Sequence, residues 1–195
     1  MDEIEQGRIQ TGHLDVHSPL QPHSPTSGVS KSSKQSQLIS ALGLDIGRKR
    51  IGVAGCDGTG LIATGLMTIE CKSFDAVVAQ LQSIVRERQV QVLVVGLPYT
   101  MAGAVGFQAR QVQKFAPRLA KALNLPLEYV DERLTSFQAE QLMQAENISP
   151  SRNKGLIDRK AASLILQQWL DERRQRIKQS REKIEQATLD VSTLE

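Results

Sequence analysis

Between residues 41 and 170 the chain has no histidine; its three, His13, His17 and His23, all lie near the N-terminus. That absence excludes a Ser–His or Cys–His catalytic pair, a histidine general base and histidine-ligated zinc from the central region. Cysteine is scarce as well. Cys56 and Cys71 form no zinc or disulfide pattern and suit a reducing cytoplasm. No apolar run approaches the ~18 residues that span a bilayer. Met1 to Gln10 is acidic and polar and has no secretory h-region. With a mean hydropathy of −0.26, the expectation is a soluble, cytoplasmic protein with no membrane partner. Chemistry in the central region falls to carboxylates, Lys/Arg, hydroxyls or a metal held by oxygen ligands.

The 195 residues suffice for one domain with a core. Residues 1–38 are rich in Ser, Gln, Gly, His and Pro and show no apolar period, which predicts a disordered polar tail. Residues 39–172 form the expected folded domain, and 173–195 a charged helical or disordered extension. Residues 1–40 hold three Lys/Arg and four Asp/Glu, 41–170 fifteen and eleven, and 171–195 six and six. The positive excess therefore lies in the central domain, which permits a polyanionic partner without requiring one.

Two apolar runs, 41–46 and 51–55, flank the basic turn Gly47-Arg48-Lys49-Arg50 and read as a β-hairpin over 39–46 and 50–56, with Gly47 supplying special turn geometry. Asp57-Gly58-Thr59-Gly60 is a turn signal, and 61–69 a third, antiparallel strand. Ser73 offers an N-cap to an amphipathic helix over 74–88. The apolar run 91–95 fits a strand covered on both faces. A helix over 106–123 stops at Asn124 and Pro126, and a short strand follows over 127–130. Thr135-Ser136-Phe137-Gln138 fits a capping box for a helix to about Glu146. Residues 147–156 read as a polar loop, and Asp158 as the opening of the last core helix. The order βββ-α-β-α-β-α-α gives an α/β protein with a five-stranded mixed sheet flanked by helices, which is the ribonuclease H-like order.

Asp45 interrupts an otherwise buried run, and a carboxylate there needs a metal, a cation or backbone N–H groups. Turn bonding by its own backbone is the plainer account. Three acidic positions fall at element ends: Asp45 after strand one, Asp131-Glu132 after strand five, and Asp158. Ligands in α/β sheets gather at the carboxyl ends of strands. Strands one and five as neighbours, with the last helix across them, would bring the acids together. Clustered carboxylates raise one another's pKa and call for a counter-charge, and hard oxygen ligands suit Mg²⁺ or Mn²⁺. Two such ions would serve phosphodiester cleavage, with Asp45 bridging them and Glu132 and Asp158 each holding one. Taken singly, Asp158 fits a helix dipole, and Asp131 and Glu132 fit a surface ion-pair cluster with Arg133. Candidate phosphate contacts are Arg48, Lys49, Arg50, Arg133, Arg152 and Lys154.

Four stretches in order resemble the YqgF family, also described as RuvX-like. They are Gly43-Leu44-Asp45-Ile46-Gly47 with Lys49 to Ala54; Val94-Val95-Gly96-Leu97-Pro98; Asp131-Glu132-Arg133-Leu134-Thr135; and Ile157-Asp158 with Ala161-Ala162. The resemblance covers roughly 40–172. It implies a ribonuclease H-like fold and a cytoplasmic nuclease, one maturing the 5′ end of pre-16S rRNA on ribosomal precursor particles, or else resolving branched DNA such as Holliday junctions. By motif it carries over Asp45, Glu132 and Asp158 as the acidic site, with Asp131 as the alternative to Glu132. Cys56-Asp57 stands where the family usually has Ser-Asp, and Thr100-Met101-Ala102-Gly103-Ala104 where it favours Asn-Met-Asp-Gly-Thr. Two rivals remain: a non-cleaving RNA-binding ribosome-assembly factor, and a nucleotide-binding phosphotransferase of the actin and sugar-kinase type. The latter shares Gly-x-Asp-x-Gly but needs a second such domain, and the core shows no repeat.

Overall fold

The computed structural model describes residues 38–99, 105–132, 141 and 153–192. The polar tail over 1–37, the capping box at 135–138 with most of its helix, Arg133, Arg152 and the loop 100–104 lie outside the described residues. The elements are β1 (Ala41–Ile46), β2 (Arg50–Cys56), β3 (Ala63–Glu70), α1 (Phe74–Arg88), β4 (Val92–Leu97), α2 (Phe107–Leu123), β5 (Leu127–Asp131) and α3 (Lys154–Ser192). Local signals set several of these bounds. Ser73 caps α1, its hydroxyl accepting the Ala76 N–H at 3.2 Å. α2 stops at Asn124, which adopts the left-handed conformation at φ 54° and returns its N–H to the last turn. At the β1–β2 turn, Gly47 lies outside the left-handed region. What it needs is room, since a Cβ there would stand 2.8 Å from the Arg50 carbonyl oxygen.

The five strands form one sheet in the order β3-β2-β1-β4-β5. β1–β2 and β2–β3 pair antiparallel, and β1–β4 and β4–β5 pair parallel. This is the ribonuclease H-like α/β arrangement. It corrects one expectation: β1 and β5 are not neighbours, because β4 runs between them. The run 91–95 signals this indirectly, since a strand buried on both faces belongs in the middle of a sheet, and every residue of β4 is buried.

Period-two alternation sends β1 and β2 side chains to two cores. Leu42, Leu44, Ile46, Ile51 and Val53 face α1 and α2. Ala41, Ala54 and Cys56 face α3 with Ala162, Ile165, Leu166 and Trp169. α3 is fastened at both sheet edges. On the β3 side, Thr68 Oγ1 donates to the Gly155 carbonyl at 2.6 Å and the Ala63 N–H donates to Gln167 Oε1 at 2.9 Å. On the β5 side, Trp169 Nε1 donates to Glu128 at 2.7 Å.

α3 begins earlier than Asp158. The Asn153 carbonyl accepts from Leu156 and Ile157 N–H at 2.9 and 3.2 Å, so Lys154 and Gly155 are already helical. Asp158 therefore sits a full turn inside the helix. The charged stretch from 171 onward continues as helix to Ser192, without a break at 172.

Between β2 and α3 there is no side-chain layer at Gly52. A Cβ at Gly52 would lie 1.9 Å from the Asp158 carbonyl oxygen, which is backbone and cannot swing aside. On the flanking strands, a Cβ at Gly43 would lie 2.6 Å from the Leu166 Cβ and 3.0 Å from the Ala162 carbonyl oxygen, and one at Gly65 2.9 Å from both the Cβ and the carbonyl oxygen of Arg159. Gly52→Ala is expected to cost about 3 kcal/mol or more, the upper range for overpacking. Gly58→Ala, with nothing within 4 Å, should stay within about 0.5 kcal/mol. Urea unfolding of both variants checks this, and equal midpoints would contradict the packing described.

Candidate acidic site at the strand ends

β1, β4 and β5 are parallel, so their carboxyl ends meet at one edge of the molecule. Asp45 is the next-to-last residue of β1 and the direct cross-strand partner of Gly52. Its position in the alternation puts its side chain on the α3 face, beside Gly43 and Ala41. Across Gly52, α3 delivers Asp158 from above. Glu132 arrives from the far side of β4. Its Oε2 lies 2.6 Å from where a Gly96 Cβ would be, close to Ile165 of α3. Gly96 thus clears the path by which a residue after β5 reaches toward β1. Glu132 is the buried charged residue of the described core, at 7 % exposure.

The pleat separates the two adjacent acids. Glu128 bonds Trp169 and Val130 packs in the α3 core; Glu132 continues that series. Leu127 packs against the opposite core, and Asp131 follows it. Asp45, Glu132 and Asp158 therefore share one face, while Asp131 belongs to the other.

The electrostatics follow from that placement. Burial pushes the Asp45 carboxyl up to about 8, with the charge of Glu132 and then of Asp158 adding to the shift. Asp158 has a cation at hand: Arg50 Nε lies 2.5 Å from its Oδ2, and Nη2 3.5 Å from Oδ1. That hydrogen bond holds the Arg50 guanidinium still more firmly protonated. Arg50, also expected as a phosphate contact, starts β2 on the α3 face and meets Asp158 there. Among the described residues, no three His, Cys, Asp or Glu side chains are gathered closely enough to hold one ion as they stand.

Of the other candidate contacts, Arg48 and Lys49 are exposed at the β1–β2 turn beside Asp45, and Lys154 is exposed at the start of α3. Arg133 and Arg152 lie outside the described residues. A further basic feature went unpredicted. α2 contains Arg110, Lys114, Arg118 and Lys121 and no acid. Their spacing of four, four and three places them on one helical face, and all four are exposed. The signal was present as a 17-residue segment with charges of one sign.

The Asp45 shift has a definite sign in stability. Below about pH 4 both folded and unfolded chains hold the proton. From there to about pH 8 the unfolded chain loses it and the folded chain keeps it, so this group lowers stability as pH rises. With chelator present, Asp45→Asn removes that dependence. Its stability relative to wild type should grow by a few kcal/mol between pH 4 and pH 8. Denaturant unfolding across that range checks it; a constant difference would show that Asp45 titrates normally.

The family model for RuvX, described as Holliday junction resolvase, matches residues 39–172. A protein of Trichormus variabilis named "Putative pre-16S rRNA nuclease" is 78% identical over 138 residues, covering 71% of this chain and 91% of that one. A protein of the same name from Synechocystis is 61% identical over 144 residues, 74% of this chain and 95% of the other. A solved structure titled "T. thermophilus RuvC in complex with Holliday junction substrate" is similar at 13% identity and a TM-score of 0.42, over 65% of this chain and 91% of that chain. By the match over 39–172 and by these identities, the chain belongs to the RuvX family.

Proposed function

We propose that this RuvX-family chain is a divalent-metal-dependent endonuclease that hydrolyses phosphodiester bonds in structured nucleic acid, with the 5′ end of pre-16S rRNA as its substrate. The observation that carries the reading is the placement of Asp45, Glu132 and Asp158 on one sheet face at the strand ends. The names of its relatives supply the substrate. The family description favours one other, resolution of a Holliday junction in DNA.

The donor set fits Mg²⁺ or Mn²⁺. Carboxylate oxygens are the ligands these ions prefer, and an Asp45 carboxyl pushed to about 8 is a group that a cation would return to its ionised form. Asp45, Glu132 and Asp158 would be the residues that hold such ions. When bound, such ions supply positive charge at the scissile phosphate and lower the pKa of a bound water. The chain itself orients the carboxylates: Gly52 and Gly96 admit Asp158 and Glu132 to the face of Asp45. Arg50 holds Asp158 in place, and that carboxylate would share its charge between Arg50 and a bound ion. Asp131, on the opposite face, is set aside as a ligand. Arg48, Lys49 and Lys154 are exposed cations at this end and meet phosphates. Cys56 and Cys71 are both free thiols, and among the described residues no helix is long and apolar enough to cross a membrane. The name the relatives carry supports a cytoplasmic protein acting on ribosomal precursor particles.

The test sets a precursor rRNA fragment beside a four-way DNA junction, with Mg²⁺, Mn²⁺ or chelator. Cleavage should require metal, and Asp45→Asn should lower it at least about 100-fold, in line with loss of a ligand that carries the reaction. The preferred substrate decides between the two nuclease readings. Affinity should fall steeply with salt. Folded protein that binds RNA tightly and cleaves neither substrate would replace this reading with a ribosome-assembly factor.

A further inference from the structure

On the sheet face opposite the acids, a cavity of about 650 Å³ opens between the β1–β2 turn and the start of α2. Its volume falls in the range of small-molecule sites. Ile46 and Phe115 line it with apolar surface, Gln108 and Gln111 with amides, and the exposed Arg48 with a cation. Phe107 also lines it and is 72 % exposed. Phe115 is fixed edge-on against Phe74, with centroids 5.6 Å apart, and Arg118 stacks over Phe74 at 4.7 Å. Phe107 contributes nothing to either core, although an aromatic ring is among the largest apolar surfaces a chain can bury.

Phe107 heads the basic stripe. The spacing 107, 110, 114, 118, 121 keeps the ring and the four cations on one face of α2. From Arg110 to Lys121 that stripe runs about 16 Å. An apolar, amide-lined cavity with an exposed aromatic ring, continued by cations alone, matches a strand of nucleic acid: bases stack on aromatic faces while phosphates follow a positive track. Charge complementarity argues against an acid-poor apolar peptide as the occupant. The cavity is joined to the acidic site by sequence, since Ile46 and Arg48 lie one and three residues beyond Asp45.

We infer that this cavity receives an unpaired nucleobase of the substrate strand, stacked on Phe107 and bonded by Gln108 and Gln111, while the strand's phosphates follow Arg110, Lys114, Arg118 and Lys121. The inference rests on the nuclease reading and sharpens it. The substrate carries an unpaired nucleotide close to the phosphate that is cut, so the enzyme selects a single-stranded segment at the edge of a structured region.

Binding is measured with the full chain in chelator, by fluorescence anisotropy. The probes are a single-stranded RNA, the same strand with abasic sites, and a blunt duplex. Wild type should bind the intact strand most tightly. Phe107→Ala should weaken the intact strand about tenfold and leave the abasic strand and the duplex unchanged; Phe107→Tyr should restore binding. Lys114→Ala should weaken intact and abasic strands alike and lower the salt slope by about 0.7. Cys71 lines the cavity and Cys56 is buried elsewhere, so the intact strand should also slow alkylation of Cys71. The inference is overturned if wild type does not prefer the intact strand, or if Phe107→Ala weakens all probes equally or none. Cleavage by wild type in Mg²⁺ is scored separately. Its absence alongside the expected binding pattern would remove the nuclease reading and leave the base site standing.

Discussion

The close approach of α3 to β2 at Gly52 is the constraint on which the acidic site depends. A helix ordinarily rides on a sheet over a layer of side chains. Here Gly43, Gly52 and Gly65 remove that layer on three adjacent antiparallel strands, and the helix backbone comes down onto the sheet. Asp158 then reaches Arg50 at hydrogen-bond distance and adds its charge to the field at Asp45. Gly96 does the equivalent on β4 for Glu132. The site is built as much from missing side chains as from present ones, and the fastenings at Thr68, Gln167 and Trp169 hold the helix over that glycine track.

Bringing three acids to one face has a cost, and its size identifies what the site wants. Arg50 supplies one positive charge and spends it on Asp158. Asp45 is left half-buried in the field of both other carboxylates, and desolvation first, then that field, pushes its pKa up to about 8. A protein selecting only for stability would replace Asp45 with an apolar residue, since β1 is otherwise buried on both faces. Retaining a carboxylate there is intelligible if positive charge arrives from outside the chain, as divalent ions would provide. Arg50 then keeps Asp158 ordered when no ion is bound, which limits how far the site must rearrange to accept one.

Much of this was legible in the sequence because it is governed by local rules. The opening hairpin, the Ser73 cap, the Asn124 stop and the double-sided burial of β4 each follow from a few adjacent residues. Asp45 stood out because it is polar where its neighbours are not. What escaped depends on pairing between distant segments. The apolar run 91–95 marks an interior strand but does not name the strands on either side of it, and the Arg50–Asp158 bond spans 108 positions. The start of α3 at Lys154 was masked by Gly155, whose low helix propensity suggests a loop; its place against Thr68 on β3 outweighs that preference. The choice between Asp131 and Glu132 turns on which face of β5 meets α3. Alternation alone leaves that open, because both faces of the sheet are covered. The α2 stripe was readable, but only by asking of a helix which charges it lacks.

A β-strand also explains how a single segment can serve two faces. Asp45 and Ile46 are adjacent, yet the pleat sends one toward α3 and the acids and the other toward α2 and the cavity. A helix would place neighbours about 100° apart on one surface, and a loop would fix neither. The turn at Gly47, Arg48 and Lys49 forms the rim that both faces share, so a strand crossing that rim passes from an aromatic and cationic surface to a carboxylate one within a few residues' length. Cations hold phosphates where they are, and carboxylates repel them unless metal intervenes. Under the proposed function, the rim would divide a substrate strand's path into a part held regardless of metal, along α2, and a part engaged only with it, beside α3.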